Sequence, residues 1–409
     1  MIIKSGIKYI GHQALFTTPK ENSIENLFIL EDTSQSQELT YFSNLRFQTS
    51  NRGAVLYFKG NGNQIIIENC LFGSTLAANR VSAIYLGGKS NQLIINNTKY
   101  DHIRNSLLLE GSDSKIQISQ NQDNQTETSI RLNASKSICL ISNSMFNGNL
   151  TGSLKESQFI MTNSTIRLST LSTSNTTLIC GNCLFSHVSF IQTLSNSMFR
   201  SCQFQGITSI YANNDVSFSD CRFVSTPTDR TTASLTLSGS SLSTIKIHGG
   251  LIQGNGVEYK RGDVSLVDIT FNIIISGGFV VRTALEDSNI LKKLNINGIN
   301  IKYNYNFSGP DAIHYLILGN NVGNICEIIH QNIILEMSRL ASSVTANNFS
   351  NYKFLGTRLL ISDSNPTNQI GLLNDIWRNS TDSMDHRYAR GNPQNSWVPL
   401  LYISQAQGG

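Results

Sequence analysis

The chain is 409 residues long, 39% hydrophobic and only 14% charged, with a net charge of +4. That charge is too small, and its cations too scattered, to argue for nucleic acid. No apolar stretch reaches membrane-spanning length, and the opening MIIKSGIKYIGHQ lacks the apolar core of a secretory signal.

Taken in chain order, residues 1–22 fit no turn of the pattern that follows and are expected to cap the end of a stack. A four-position repeat then begins. Counted back from an anchor residue, positions −7, −5, −2 and 0 are mostly apolar. The first turns are Thr40, Phe42, Leu45, Phe47; Ile65, Ile67, Cys70, Phe72; and Leu93, Ile95, Thr98, Tyr100. A degenerate turn at Ile116, Ile118, Asn121, Asp123 leads to Cys139, Ile141, Ser144, Phe146 and Phe159, Met161, Ser164, Ile166. The clearest turns are Leu178, Cys180, Cys183, Phe185; Ser197, Phe199, Cys202, Phe204; and Val216, Phe218, Cys221, Phe223, whose anchors are 19 residues apart. Further turns are read at Ile245, Ile247, Gly250, Ile252; Ile273, Ile275, Gly278, Val280; and Leu294, Ile296, Ile299, Ile301. Weaker ones follow at Ile328, His330, Ile333, Leu335 and Asn347, Phe349, Tyr352, Phe354. Each pair has the period of a strand, and the phase slips by one between pairs, as a tight corner requires. Short strands and corners at a fixed spacing predict an all-β solenoid over residues 23–360. The remainder, 361–409, holds both tryptophans and reads as a β-hairpin or small knob.

Position −3 supplies the corner. It is Asn at 44, 69, 97, 143, 163 and 182, then Asp220, Gly249, Gly277 and Gly298, and Asn again at 332 and 351, with Gln120 and Ser201 departing from the rule. These residue types tolerate the left-handed backbone of a sharp bend. Asn side chains stacked in successive turns are expected to hydrogen-bond along a ladder.

Six of the seven cysteines fall on inward positions: Cys70, Cys183, Cys202 and Cys221 at −2, Cys139 at −7 and Cys180 at −5. Cys180-Gly-Asn-Cys183 has the spacing of a zinc ligand pair. Thr98, Ser144 and Ser164 hold the same slot in other turns, so the slot selects a small side chain. A stack of buried, reduced thiols is therefore expected, with no metal and no other cofactor.

Extra residues enter after the anchors. The insertions 225–232, 254–262 and 283–292 hold much of the charge and are expected to emerge side by side and wall a groove. Glycosidic cleavage takes two carboxyls about 5–10 Å apart, and adjacent rungs of a sheet are about 4.8 Å apart. Asp229, Glu258 and Asp263 are the candidate catalytic carboxylates. Arg230, Lys260 and Arg261 would donate to a bound sugar, Glu286 would accept, and Tyr259 would stack on a sugar face. The compact turns, 146–223, leave one face nearly without charge, and burying it around an axis predicts a homotrimer.

Residues 24–360 resemble the right-handed parallel β-helix group that includes pectate-lyase-like enzymes and bacteriophage tailspikes, the Asn corner being the most specific element. The run Asn374-Asp375-Ile376-Trp377-Arg378-Asn379-Ser380, followed by Trp397-Val398-Pro399-Leu400, resembles a C-terminal motif of phage tail proteins in which GDIW-N precedes WVP. Here Asn374 stands in place of the Gly. The resemblance implies a right-handed single-stranded parallel β-helix, trimeric and mounted in a virion beside other tail proteins after assembly in the host cytoplasm. It also implies binding of host surface polysaccharide, with cleavage in some members. The Asp-Asp and Gly-His-Gly motifs of the polygalacturonase-like members are missing, and Asp101-His102 is only loosely similar to a lyase motif. Two alternatives stand beside this reading: a non-catalytic adhesive fibre, and a secreted bacterial polysaccharide lyase, which the missing signal disfavours.

Overall fold

The computed structural model describes residues 7–17, 27–30, 39–49, 53–74, 82–124, 127–186, 190–194, 196–229, 231–240, 242–274, 278–283 and 292–303, and further strands at 313–319, 326–337, 343–346, 352–362, 376–379, 385–389 and 396–399. They fall into two compact units, Met1–Ser217 and Phe218–Gly409. Each is a parallel β-solenoid, and no helix occurs among the described residues.

In the first unit one turn runs through three strands, for example Gln64–Glu68, Leu71–Ser74 and Ser82–Lys89. We refer to the stacks they form as the first, second and third sheets. Each strand pairs parallel and in register with its counterpart one turn on, as Ile67 does with Ile95, Phe72 with Tyr100 and Leu86 with Leu109. Alternation decides which side is buried: Ile65 and Ile67 are inside, whereas Gln64, Ile66 and Glu68 face outward. The anchors make one interior column in register: Phe47, Phe72, Tyr100, Asp123, Phe146, Ile166, Phe185 and Phe204.

The corner has the expected backbone. Asn44, Asn69, Asn97, Asn143, Asn163 and Asn182 all have φ between 47° and 55°. Their amides form the ladder, with Asn97 Nδ2 donating to Asn69 Oδ1 at 2.7 Å and Asn182 Nδ2 to Asn163 Oδ1 at 3.3 Å. A second left-handed corner lies seven residues upstream in most turns, at Ser90, Asp113, Lys136, Glu156 and Asn175. After it comes a buried hydroxyl ladder, in which Ser114 N–H donates to Ser137 Oγ and Ser137 N–H to Ser157 Oγ, both at 3.1 Å. The −2 slot works the same way. Ser144 N–H donates to Ser164 Oγ at 3.1 Å, while the Ser144 hydroxyl donates to the Ser142 carbonyl at 2.8 Å. Cys183 and Cys202 copy the second contact with their thiols, to Gly181 at 3.2 Å and Arg200 at 3.4 Å. The slot thus takes a small donor that satisfies a corner carbonyl, a stricter requirement than small size.

Residues 8–17, which fit no turn by sequence, form the strand Lys8–Thr17 and pair parallel with Leu39–Thr49. Phe16 stands level with Phe47, and Gln13 takes the corner with φ 58°. The strand is mostly exposed and covers the aromatic interior of the next turn, with Phe16 stacked on Phe47 and Tyr9 on Phe42.

In the second unit the anchors in register are Phe223, Ile252, Phe271 and Ile301. This corrects the turn read at Ile273, Ile275, Gly278 and Val280. The turn is Val264, Leu266, Ile269 and Phe271, with its corner at Asp268, φ 53°. Val280 belongs to the strand Phe279–Thr283 on the third sheet. Ile275 and Gly277 lie outside the described residues. At Gly250 glycine is compulsory, because a Cβ there would lie 2.0 Å from the Cys221 carbonyl oxygen. The turn at Ile328, His330 and Leu335 does pair with Leu294, Ile296 and Ile301. Tyr352 and Phe354 stand level with Ile328 and His330, so a turn begins there rather than ending. The pairing becomes antiparallel only between Ile376–Asn379, Asp385–Ala389 and Ser396–Pro399.

Candidate functional site

The first unit carries a groove along the Asn corner. The bend at each corner sets the outward side chain two residues further on beside the amide ladder. Those side chains are Leu15, Arg46, Leu71 and Lys99, level with one another on successive rungs. The resulting cavity of about 360 Å³ is lined by Gln13, Asn44, Asn69 and Asn97 on one wall and by Arg46, Leu71 and Lys99 on the other. A smaller hollow of about 130 Å³ shares Arg46 and Leu71 and continues past Gln48 and Ser74 to Asp101. Its far end is polar: Asp101 Oδ1 lies 2.9 Å from His102 Nδ1. Cys70 reaches the floor, but burial pushes its thiol up to about 11, so it is no nucleophile at neutral pH.

This lining offers amide donors and acceptors repeated at rung spacing, two cations and an apolar strip at Leu71. That is the chemistry of a surface for a hydroxylated chain molecule. Among the described lining residues Asp101 is the single carboxylate, so the pair that glycosidic cleavage requires is not assembled there. No three His, Cys, Asp or Glu side chains converge among the described residues in a way that would hold a metal.

The charged residues expected to form a site lie in the second unit, and those described there are spread over the 229–232 turn and two strands rather than over three side-by-side loops. The segment 254–262 is not a loop: it contains the strand Val257–Arg261 of the third sheet. Tyr259 is therefore corrected from a sugar platform to a core residue. It is fully buried, and its hydroxyl donates to the Gly262 carbonyl at 2.6 Å. Asp229 is exposed, but its carboxylate is occupied by its own turn. It accepts the Thr231 and Thr232 amides at 2.7 and 2.8 Å, and both hydroxyls as well. The Thr231 and Thr232 hydroxyls, with those amides, hold its pKa down at about 2, so it cannot serve as a proton donor near neutral pH.

Glu258 points outward from the third sheet and is ion-paired with Arg282 one rung away, Nε to Oε1 at 3.0 Å. Arg282 also donates to the Thr231 carbonyl and lies 4.9 Å over the Phe279 ring. It therefore latches the Asp229 turn to the sheet. Asp263 stands beyond the Gly262 bend, at the exposed start of the strand Asp263–Val267, in a different sheet from Glu258. Lys260 and Arg261 are half-buried, Arg261 Nε donating to Ser238 Oγ at 3.3 Å. Arg230 and Glu286, with most of 283–292, lie outside the described residues. Sequence reasoning missed the groove residues Arg46 and Lys99. Their signal was present: both occupy the position just before an anchor, two residues past a corner Asn.

No family model matches the chain, and no curated protein is similar to it at a significant level. Among solved structures, one titled as the PL6 family alginate lyase AlyGC is similar over 88% of this chain and 82% of that one, at 10% identity and a TM-score of 0.24. A likeness that loose carries nothing about chemistry.

Proposed function

We propose that this chain is a polysaccharide-binding β-solenoid of the phage tailspike or virion-fibre kind, which takes a host surface glycan into the groove beside its first Asn corners. The observation that carries the reading is the groove itself: an amide ladder facing Arg46, Leu71 and Lys99 at one residue per rung. A sugar chain laid along the solenoid meets the same donors at each rung, and an apolar side chain beneath its ring faces. The virion setting is supported by the tail run around Trp377 and Trp397, which lies where the strands change from parallel to antiparallel. Binding without cleavage is the reading favoured for the second unit, because Asp229 and Glu258 already satisfy partners of their own chain.

The test is retention of capsular and lipopolysaccharide chains on immobilised protein, with chromatography of the glycan afterwards. Retention of intact glycan, weakened at least tenfold by Arg46→Ala with Lys99→Ala, is the expected result. If no surface glycan is retained, or the double variant retains it as well as the parent, the groove is not the site.

A further inference from the structure

The groove beside the first Asn corners has a charge pattern as well as a shape. Its outward column reads Leu15, Arg46, Leu71 and Lys99 on four successive rungs, so apolar and cationic rungs alternate. The column runs on through Gln122, Met145, Thr165 and Leu184 without a charge. The two cations are thus confined to the groove. Both are exposed, and among the described residues neither is ion-paired. Leu71 between them is half-buried. Asp101, two residues past Lys99 on the same strand, marks the flank away from the amide ladder.

We infer that the glycan held here carries an anionic group on every second sugar, with neutral sugars between. Two acidic sugars meet Arg46 and Lys99, and the neutral sugar between them lays an apolar ring face on Leu71. The inference rests on the glycan reading above and adds a charge pattern to it. Three observations select that pattern. The first is spacing. Rungs are about 4.8 Å apart, so the two cations stand about 9.6 Å apart. One pyranose advances an extended glycan by about one rung, so cations two rungs apart match sugars two places apart. The second is the gap. A carboxylate over Leu71 would exchange water for hydrocarbon, with no cation on its own rung. The third is the flank. An acidic homopolymer that turns alternate carboxylates to opposite edges would press half of them towards Asp101, and that repulsion selects against it. A chain with neutral alternate sugars meets no such charge. Its hydroxyl and amide groups face the ladder, where Asn97 Nδ2 donates to Asn69 Oδ1 and the remaining donors and acceptors suit them. Arg46 can grip an acidic group with two parallel hydrogen bonds, while Lys99 acts as a point charge.

The probe is hyaluronan, whose carboxylates fall on alternate sugars, measured by affinity electrophoresis at low salt. Its comparators are carboxyl-reduced hyaluronan, which is neutral, and polygalacturonate, which is acidic at every sugar. Hyaluronan should be held at least about tenfold more tightly than either. Arg46→Gln with Lys99→Gln should abolish the difference between hyaluronan and its reduced form. Leu71→Lys puts cations on three successive rungs and should raise polygalacturonate to the level of hyaluronan or above. Protected buried thiols check that each variant is folded. Reduced hyaluronan or polygalacturonate held as tightly as hyaluronan by the unaltered chain would overturn the charge pattern and leave the glycan reading standing. A preference for hyaluronan that survives the double Gln variant would overturn it too, by placing acid recognition elsewhere. If none of the three is held, the inference falls, and the glycan reading falls with it only when no capsular or lipopolysaccharide chain is retained either.

Discussion

Phe185 and Phe204 stack inside the first unit with ring centroids 4.9 Å apart and planes 14° from parallel. The separation is that of adjacent rungs, so each ring fills the space above the one before it. Phe199 meets both rings edge-on, at 6.2 and 5.7 Å. Removing Phe204 opens a cavity that a ladder of backbone hydrogen bonds cannot collapse. Phe204→Ala should cost about 3–5 kcal/mol, read as a lowered midpoint in denaturant. A loss below about 1 kcal/mol would contradict the packing described.

The cysteines make a second prediction. Six of them are free and buried. Burial raises the Cys139 thiol to about 12 and lifts Cys180 well above its ordinary value. Cys183 is raised as well, chiefly through its hydrogen bond with Cys202 and then by burial. Neutral thiols react slowly, so alkylation of the folded protein should stay slow even at pH 9 and become fast only in denaturant. Rapid labelling of Cys183 or Cys202 in native buffer would be the contrary result.

Tyr259→Phe separates a core role from a site role. It removes a buried hydrogen bond to the Gly262 carbonyl, which should cost about 1 kcal/mol of stability. Glycan retention should be unchanged. Weakened retention with normal stability would return Tyr259 to the ligand.

Asp229 carries a pH signature. Its folded pKa is depressed to about 2 from an ordinary value of 3.8. A group lowered in this way stabilises its turn above the unfolded value, and the contribution is lost as pH falls through about 2. The turn should therefore keep its protection from proteolysis at pH 4, and Asp229→Ala should lose it at every pH. Titration of this carboxyl near 4, followed by NMR, would refute the hydrogen bonds assigned to it.

The repeat was legible because solenoid burial is strictly periodic: Ile65, Ile67 and Phe72 announce a turn with no knowledge of what they touch. The Asn corner was legible because left-handed backbone restricts residue type. The upstream corner was not, since solvent-exposed Lys136 and Glu156 adopt the same backbone there without an amide to mark them. The reading of 254–262 as a loop is where structure and sequence part, because charge was taken as a sign of loops. Glu258, Lys260 and Arg261 sit on a strand whose other face, Val257 and Tyr259, is core. Alternation places Glu258 and Lys260 outward of Val257 and Tyr259, but it breaks at Arg261, which hides the end of the strand.

Asp123 occupies the anchor column between Tyr100 and Phe146 and is wholly buried. Ser106 donates to its carboxylate at 3.3 Å, and Ser129 donates to the same oxygen. A stack of near-identical rungs has little to stop two strands from pairing one turn out of step during folding, because an aromatic ring satisfies the next turn as well as its own. A carboxylate is not so tolerant. Displaced by one turn, it would exchange two serine hydroxyls for hydrocarbon and leave a buried polar oxygen without its donors. One acidic residue in an otherwise interchangeable interior thus numbers the rungs, and the chain can count from it in both directions.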